Sequence, residues 1–152
     1  MFLKELIDKK RVCFHESFAT WEDAIRASCQ PLLDDHTIEE NYVQEIIDCV
    51  YKYGPYIVLA PNIAMPHSQE DVVGVNATAI SFMKVEQPVS FEEGNPEKDA
   101  RLFFTLASKD HNIHLENMSK LATLLSSDEI IDALLAAKNE EDLLAIIEPV
   151  EE

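Results

Sequence analysis

The stretch GPYIVLAPNIAMPH, residues 54–67, most strongly constrains both the fold and the chemistry of this chain. Its apolar run, residues 56–60, is bounded by Gly-Pro and Pro-Asn pairs, which is typical of a short strand covered on both faces. Pro66 lacks a backbone N–H, so regular strand pairing is predicted to end near it. His67 is therefore expected where a strand gives way to a loop, a common location for reactive groups. From these residues alone, a surface histidine after a turn is the commoner outcome.

Helical and strand-like patterns alternate along the rest of the chain. Apolar spacing predicts helices over residues 2–9, from Thr20 to about Pro31, and over 42–53, 113–125, 128–137 and 140–147. Short apolar runs predict strands over residues 12–14, 77–85 and 102–107, with a polar connection over residues 87–99. Strands interleaved with helices predict an α/β fold, a single-domain sandwich whose mixed β-sheet is flanked by helices on both faces.

Individual residues at the helix ends have predicted local roles. Thr20 is expected to cap its helix with Asp23 three residues later, and Pro31 is expected to kink or end that helix. Trp21 lies on the apolar face, which favours a core anchor over a platform for a ligand. Asp128 and Asn139 are the predicted N-caps of the last two helices.

Composition and charge exclude several classes of protein. With 152 residues, 47% of them hydrophobic, the chain can bury about two-thirds of its unfolded surface, enough for one core. The 12 basic and 29 acidic residues leave a net charge of -17, which disfavours binding to nucleic acid and to anionic lipid. No apolar run reaches the roughly 18 residues that span a bilayer, and the N-terminus predicts an amphipathic helix rather than a signal peptide. We therefore expect a cytoplasmic protein without direct membrane insertion.

The three cysteines, Cys13, Cys29 and Cys49, have no CxxC spacing and are odd in number. Buried thiols that behave as small hydrophobic side chains are the favoured interpretation, rather than a metal site or a disulfide.

Three segments together resemble a known family: GPYIVLAPNIAMPH, TWEDAI at residues 20–25, and HNIHLENMSKLATLL at residues 111–125. They are similar to the phosphocarrier enzyme IIA proteins, mannitol/fructose class, of the bacterial phosphoenolpyruvate-dependent sugar phosphotransferase system. Within that class the likeness is greatest to the L-ascorbate-specific enzyme IIA. The resemblance covers almost the whole chain and implies one enzyme IIA domain over residues 1–152.

The resemblance also implies the roles of two histidines. In the family, the histidine after the Ala-Met-Pro step carries the phosphoryl group, which places that role on His67. A second histidine opens a later helix, which places a supporting role on His114, where a helix N-terminus would favour a phosphate. Many relatives have a small residue and an arginine after the Pro-His pair, whereas this chain has Ser68-Gln69, so the compensation of phosphate charge differs here.

The expected mechanism follows from imidazole chemistry and from the family pattern. A neutral imidazole has a free nitrogen lone pair that can attack phosphorus, and transfer depends mainly on in-line positioning and on donors around the phosphoryl oxygens. The resemblance implies phospho-HPr as donor and a cysteine of enzyme IIB as acceptor, with the sugar meeting the membrane enzyme IIC. No cofactor and no metal are required. The sugar, L-ascorbate by likeness, is the weakest of these inferences.

Two other functions stay open at this point. His111 and His114 lie three residues apart and, with His67, could form a three-histidine zinc site of a hydrolase. Nitrogen-regulatory relatives of enzyme IIA instead use the same histidine to report phosphorylation state to target proteins. His111 otherwise is a loop residue, and His15 and His36 are predicted at the surface. The patterns do not distinguish a monomer from a dimer.

Overall fold

The fold is described by a computed structural model over residues 2–68 and 73–148. The helices are α1 (Phe2–Asp8), α2 (Trp21–Asp34), α3 (Glu40–Tyr53), α4 (His111–Leu125), α5 (Asp128–Ala136) and α6 (Glu140–Leu144). The strands are β1 (Val12–His15), β2 (Val58–Ala60), β3 (Asn62–Ala64), β4 (Ala79–Ser90) and β5 (Asp99–Ala107), and a 3-10 turn covers Pro96–Lys98.

The strands form one mixed sheet in the order β1-β4-β5-β3-β2. The central pair, β4 and β5, is antiparallel. On its two sides, β1 pairs with β4 and β3 pairs with β5 in parallel, while β2 closes the far edge antiparallel to β3. The predicted α/β class with a mixed sheet is confirmed.

Both faces of the sheet are covered by helices, because successive side chains of a strand point to opposite faces. On one face, Met83 and Phe103 pack in a core with residues of α2 and α3. On the other face, Phe82 and Phe104 pack in a second core with residues of α1, α4, α5 and α6. The predicted sandwich is confirmed, and no helix within the described ranges is long and apolar enough to cross a membrane.

The sequence predicts that α2 kinks or ends at Pro31, but the helix continues through this proline to Asp34, so the predicted end is wrong. Proline removes the N–H that would donate to the carbonyl of Ala27 one turn earlier. The Cys13 thiol lies 3.9 Å from that carbonyl and donates a weak hydrogen bond to it. Pro31 and Leu32 are buried in the core. Packing of this last turn therefore maintains the helix despite the missing backbone bond.

Residues 56–60 do not form the doubly covered strand that their apolar character predicts. β2 begins only at Val58 and forms an antiparallel pair with β3 at the edge of the sheet, where Leu59 is 57% exposed. Asn62 adopts a positive φ of 73°, which reverses the chain between the two strands. The strand that leads to His67 is therefore β3, and Ile63 and Ala64 are its buried residues.

The strand β4 is longer than predicted and takes up the first part of the expected polar connection over residues 87–99. It runs to Ser90, and Val89 and Ser90 pair with Ala100 and Asp99 after an irregularity in the register. Val89 is buried although the residues on either side of it are exposed, and its burial stabilises this end of the strand.

Most predicted helix ends agree with the structure to within a few residues. The side chains of Thr20 and Asn139 accept hydrogen bonds from the backbone N–H groups of Asp23 and Asp142, as their predicted capping role requires. The N-cap of α5 is Ser127 rather than the predicted Asp128. Helix α6 ends at Leu144 and not near residue 147.

Cys29 and Cys49 are buried and Trp21 packs against the core, as the sequence predicts, whereas Cys13 is half-buried. All three cysteines are free, and burial raises the pKa of the Cys13 and Cys29 thiols to about 12. Such thiols stay protonated and act as packing groups. Trp21 packs against the core of α2 and α3, with its ring 5.8 Å from that of Phe91.

A buried lysine lies at the centre of the sheet. Lys84 on β4 is fully buried and donates a hydrogen bond to Glu86. The other carboxylate oxygen of Glu86 lies 2.7 Å from the Lys138 Nζ and 3.7 Å from Arg101. Hydrogen bonds from Lys138 and then Lys84 lower the pKa of the Glu86 carboxyl to about 2. Glu86 thus provides the charge partner that a buried ammonium requires.

We predict opposite outcomes for the two members of this pair. Glu86→Gln leaves the buried Lys84 ammonium without its anion, so its urea midpoint at pH 7 falls, whereas Lys84→Met removes the buried charge and keeps or raises the midpoint. Because the folded pKa of Glu86 lies below its ordinary value of 4.5, its stabilisation is complete above that value and is lost as the pH falls towards 2. The acid-induced loss of stability is therefore smaller in Glu86→Gln.

The control is Glu93→Gln, which neutralises a carboxylate at an exposed position. Equal urea midpoints for Glu86→Gln and Glu93→Gln would show that Glu86 does not stabilise the buried ammonium of Lys84.

Candidate functional site

The parallel pairing of β3 with β5 brings two histidine-bearing segments together. Ile63 and Ala64 of β3 pair with Leu102 and Phe103 of β5, so both strands run towards the same edge of the sheet. His67 follows β3 after two residues, and helix α4 follows β5 after a short loop. Residues that are far apart in sequence therefore meet where these carboxyl ends lie side by side.

Backbone contacts extend this pairing beyond the end of β3. The N–H of Leu106 donates to the carbonyl of Pro66 at 2.9 Å, and the N–H of Met65 donates to the carbonyl of Ile57 at 2.8 Å. Met65 and Pro66 are buried, whereas His67 is half-buried. The chain is thus held by neighbours on both sides up to the residue before His67, as expected for a histidine on a rigid support.

The imidazole of His67 is oriented by its own loop. Its Nδ1 lies 2.5 Å from the carbonyl oxygen of Met65, and because a carbonyl only accepts, Nδ1 carries the hydrogen. The Nε2 atom of the neutral ring then carries the free lone pair. This geometry presents Nε2 as the nucleophilic atom.

Hydroxyl and thiol groups surround the same loop. The Tyr56 hydroxyl donates to the backbone carbonyl of His67, and the two rings are perpendicular with centroids 5.2 Å apart. The buried Tyr42 hydroxyl donates to the carbonyl of Leu106 at 2.6 Å and accepts from the backbone of Ser68. The Cys49 Sγ lies 3.8 Å from the Ser68 hydroxyl. Neither tyrosine was predicted from the sequence to support the site, although Tyr56 lies within residues 54–67.

The second histidine lies in the first turns of α4, which begins at His111, two residues earlier than predicted. Asp110 is the N-cap, and its carboxylate accepts from the N–H of Ile113 at 3.0 Å. The Thr78 hydroxyl accepts from the N–H groups of Lys109 and Asp110 at 2.7 and 2.6 Å. Thr78 therefore holds the loop from which α4 starts, and neither periodicity nor a motif in the sequence indicates this role.

The electrostatics of the site show that its histidines are close together. Burial, followed by repulsion from His67 and then from His111, lowers the pKa of His114 below its ordinary value. His114 is half-buried, while His111 is exposed. The structure therefore brings His67 and His114 together, as the sequence predicts, with His111 at the periphery. A lowered pKa keeps the His114 imidazole uncharged at neutral pH.

The three-histidine zinc site does not have the required geometry. Within residues 2–68 and 73–148, no group of three or more His, Cys, Asp or Glu side chains is arranged to hold a metal ion. His67, His111 and His114 all lie in the described ranges, so they interact electrostatically without forming a coordination site. His15 and His36 are exposed, as predicted. Gln69, where the family resemblance leads one to expect an arginine, lies outside the described residues.

Comparison with known proteins agrees with this architecture. Residues 5–150 match the family described as "Phosphoenolpyruvate-dependent sugar phosphotransferase system, EIIA 2". A mannitol-specific cryptic phosphotransferase enzyme IIA component of Escherichia coli (strain K12) is 36% identical over 147 residues, 97% of this chain and 98% of that protein. An ascorbate-specific EIIA component of Shigella boydii serotype 4 (strain Sb227) is 32% identical over 145 residues, 94% of this chain and 92% of that protein.

Solved structures share the fold. The solution structure of the mannitol-specific cryptic enzyme IIA from Escherichia coli superposes with a TM-score of 0.82 at 35% identity, covering 95% of this chain and 96% of that chain. In a complex of the mannitol enzyme IIA with phosphorylated mannitol enzyme IIB from Escherichia coli, the similar chain gives a TM-score of 0.75 at 26% identity, with 89% and 92% covered.

The protein belongs to the EIIA 2 family of the phosphoenolpyruvate-dependent sugar phosphotransferase system. Enzyme IIA components of this system are phosphotransferases that act through a phosphohistidine. The chain is thus a phosphocarrier of sugar transport, which confirms the family and the class of activity inferred from the sequence.

The closeness of the two histidines predicts a change in the titration of His114. In His67→Ala the repulsive partner is absent, so the pKa of His114 rises towards its ordinary value. The measurement is an NMR titration of the His114 ring resonances in both proteins. His36→Ala, which removes an exposed histidine outside the site, is expected to leave the titration unchanged. An unchanged pKa of His114 in His67→Ala would contradict the described proximity.

Thr78 provides a second test of the site's framework. Thr78→Val keeps the side-chain shape but removes the acceptor of two N–H groups, so the amides of Lys109 and Asp110 exchange faster with solvent, by about fivefold for one neutral hydrogen bond. Hydrogen exchange followed by NMR measures this. Thr78→Ser retains the hydroxyl and serves as the control, so equal exchange in the two variants would refute the role of Thr78.

Proposed function

We propose that His67 is the phosphorylated residue and that its Nε2 atom is the nucleophile. The main support is the hydrogen bond between Nδ1 and the Met65 carbonyl, because it leaves the lone pair on Nε2. The half-buried position of His67 at the end of a fixed strand supports the same assignment. Phosphoryl transfer requires mainly a positioned nucleophile, and this loop provides one.

The transfer consists of two displacements at phosphorus. In the first, the Nε2 lone pair forms an N–P bond while the N–P bond of a phosphohistidine donor breaks, and the electron pair returns to the donor imidazole. In the second, a thiolate of the acceptor forms an S–P bond while the N–P bond of His67 breaks, which restores the neutral imidazole. The resulting phosphoramidate is a reactive donor, so the protein stores a transferable group.

His114 is the proposed partner of the bound phosphoryl group. Before transfer its lowered pKa keeps His114 neutral. The dianionic phosphoryl group replaces repulsion by attraction, and an opposite charge nearby favours the protonated imidazole. His114 then takes up a proton and supplies a positive charge close to the phosphate. This proton uptake would compensate for the arginine that many relatives have two residues after their phosphorylated histidine, where this chain has Gln69.

The proposed donor is phospho-HPr, and the proposed acceptor is a cysteine of enzyme IIB. The acceptor is supported by the solved complex of the mannitol enzyme IIA with phosphorylated mannitol enzyme IIB. The donor rests on the resemblance of the sequence to the family. Enzyme IIC, the membrane component, would then deliver the sugar. With these partners the protein would act in the cytoplasm, and nucleic acid is not a partner in this proposal.

L-Ascorbate is the proposed sugar, because the GPYIVLAP segment is of the ascorbate type. Relatives named for ascorbate and for mannitol are both similar over nearly the entire chain, so the sugar is decided by the enzyme IIB that accepts the phosphoryl group.

The test is phosphoryl transfer from phosphoenolpyruvate through enzyme I and HPr, followed as acid-labile label. We expect label on the wild type, none on His67→Ala, and a rate lowered by about two to three orders of magnitude in His114→Ala, the range for loss of one charge-stabilising group. Phosphorus NMR of the labelled protein should assign the phosphoryl group to Nε2. His36→Ala is the matched control and should be labelled at the wild-type rate.

Purified ascorbate-type and mannitol-type enzyme IIB proteins then identify the acceptor. Rapid loss of label to the ascorbate type supports the proposed pathway, and transfer only to the mannitol type reassigns the sugar. Label that neither protein accepts would favour the regulatory function, in which phosphorylation state is reported to a target protein. Absence of label on the wild type, with HPr shown to be phosphorylated, would overturn the carrier function.

A further inference from the structure

The imidazole of His67 is held by a backbone carbonyl, so its tautomer depends on how firmly residues 65–67 are fixed. The Met65 carbonyl accepts from Nδ1 of His67 only while the two peptide groups between them keep their orientation. A loop free to rotate would lose this bond, and Nε2 could then carry the hydrogen instead of the lone pair. Groups that fix the His67 peptide thereby determine which nitrogen reacts.

Two neighbouring residues of the turn before β2 provide such groups. The carbonyl of Ile57 accepts from the N–H of Met65 at 2.8 Å, and the hydroxyl of Tyr56 donates to the carbonyl of His67. The bonds hold the two ends of the Met65–His67 segment, and the Pro66 carbonyl between them is held by the N–H of Leu106. The segment is therefore attached to the turn at both ends and to the sheet in the middle.

We propose that Tyr56 is a positioning residue for phosphoryl transfer, whose hydroxyl fixes the His67 peptide and thereby holds the imidazole as the Nδ1–H tautomer with Nε2 free. This inference rests on the proposed role of His67 as the phosphorylated residue. Tyr56 itself does not contact the phosphoryl donor in this mechanism, since its hydroxyl is directed to the backbone.

The ring of Tyr56 acts on the imidazole as well. The two rings meet at an interplanar angle of 89° with centroids 5.2 Å apart, which is the edge-to-face geometry that aromatic rings favour. Rotation of the imidazole that exchanged the positions of its nitrogens would disturb this contact. Ring packing and the peptide hydrogen bond thus favour the same orientation.

The position of Tyr56 is fixed by its own neighbours. Its ring lies perpendicular to that of Tyr53 with centroids 6.4 Å apart, and its hydroxyl interacts with the Cys49 side chain. Burial, followed by the interaction with Cys49, raises the pKa of Tyr56 well above its ordinary value. The hydroxyl therefore stays protonated at physiological pH and remains a donor to the His67 carbonyl.

The role of Tyr56 is tested by Tyr56→Phe, which removes the hydroxyl and keeps the ring. The matched control is Tyr51→Phe, where the same atom is removed from an exposed tyrosine that donates to Glu22. Two readouts are compared: the tautomer of His67 from long-range ¹H–¹⁵N NMR correlations, and the rate of labelling from phospho-HPr. The tautomer measurement needs no phosphoryl donor.

We expect the Nδ1–H tautomer in the wild type and in Tyr51→Phe, and a mixture with the Nε2–H tautomer in Tyr56→Phe. Labelling of Tyr56→Phe should slow by about threefold to tenfold, the effect of one neutral hydrogen bond, with folding unchanged by circular dichroism. A purely structural role would lower the thermal midpoint without changing the tautomer.

Several results would overturn the inference. An Nε2–H tautomer in the wild type would do so irrespective of any variant. A Tyr56→Phe protein with the wild-type tautomer and labelling rate would show that the hydroxyl does not position His67. If the wild type has the Nδ1–H tautomer but takes no label, the proposed function fails separately, whereas the tautomer shift in Tyr56→Phe still reports whether Tyr56 orients the imidazole.

Discussion

The parallel pairing of β3 with β5 is the constraint on which the site depends. It aligns the carboxyl ends of two strands that lie far apart in the chain, and it places His67 beside the start of α4. The bond from Leu106 to Pro66 continues the alignment into the loop. Because both strands are covered by helices on both faces, neither can shift its register without exposing buried side chains. The distance between the two histidines is therefore set by the sheet rather than by flexible loops.

In the proposed mechanism, the two imidazoles have different roles: His67 carries the phosphoryl group, and His114 takes up a proton when that group arrives. His114 is kept neutral by burial and by its histidine neighbours, so it adds no positive charge before transfer. The negative charge of an incoming phosphoryl group would raise the pKa of His114, and His114 would then gain a proton. A charge that appears only with the phosphate suits a carrier, because a permanently tight phosphate site would slow transfer to the next protein.

The sequence-based predictions failed where one tertiary contact outweighed a local tendency. Pro31 has a strong tendency to end helices, yet α2 continues because Cys13 from a neighbouring strand donates to the orphaned carbonyl and the next turn is buried. The apolar run at residues 56–60 indicates a central strand, yet the positive φ of Asn62 folds it back as an edge hairpin. Lys84 shows a tertiary contact that permits an unfavourable residue. Its charged side chain is tolerated in the core because Glu86 on the same strand accepts its hydrogen bond.

The sequence by itself determined the alternating α/β order and the two-sided sandwich, because these follow from apolar periodicity. The two histidines were indicated only by the resemblance of their motifs to the enzyme IIA family. Only the tertiary structure decided the strand order, the tautomer of His67 and the roles of Thr78, Tyr42 and Tyr56. Each of these depends on hydrogen bonds between residues distant in the chain or on the direction of a single carbonyl. Periodicity indicates which face of an element is buried, but it does not indicate which elements become neighbours. The pairing of neighbouring elements is what positions the reactive nitrogen of His67.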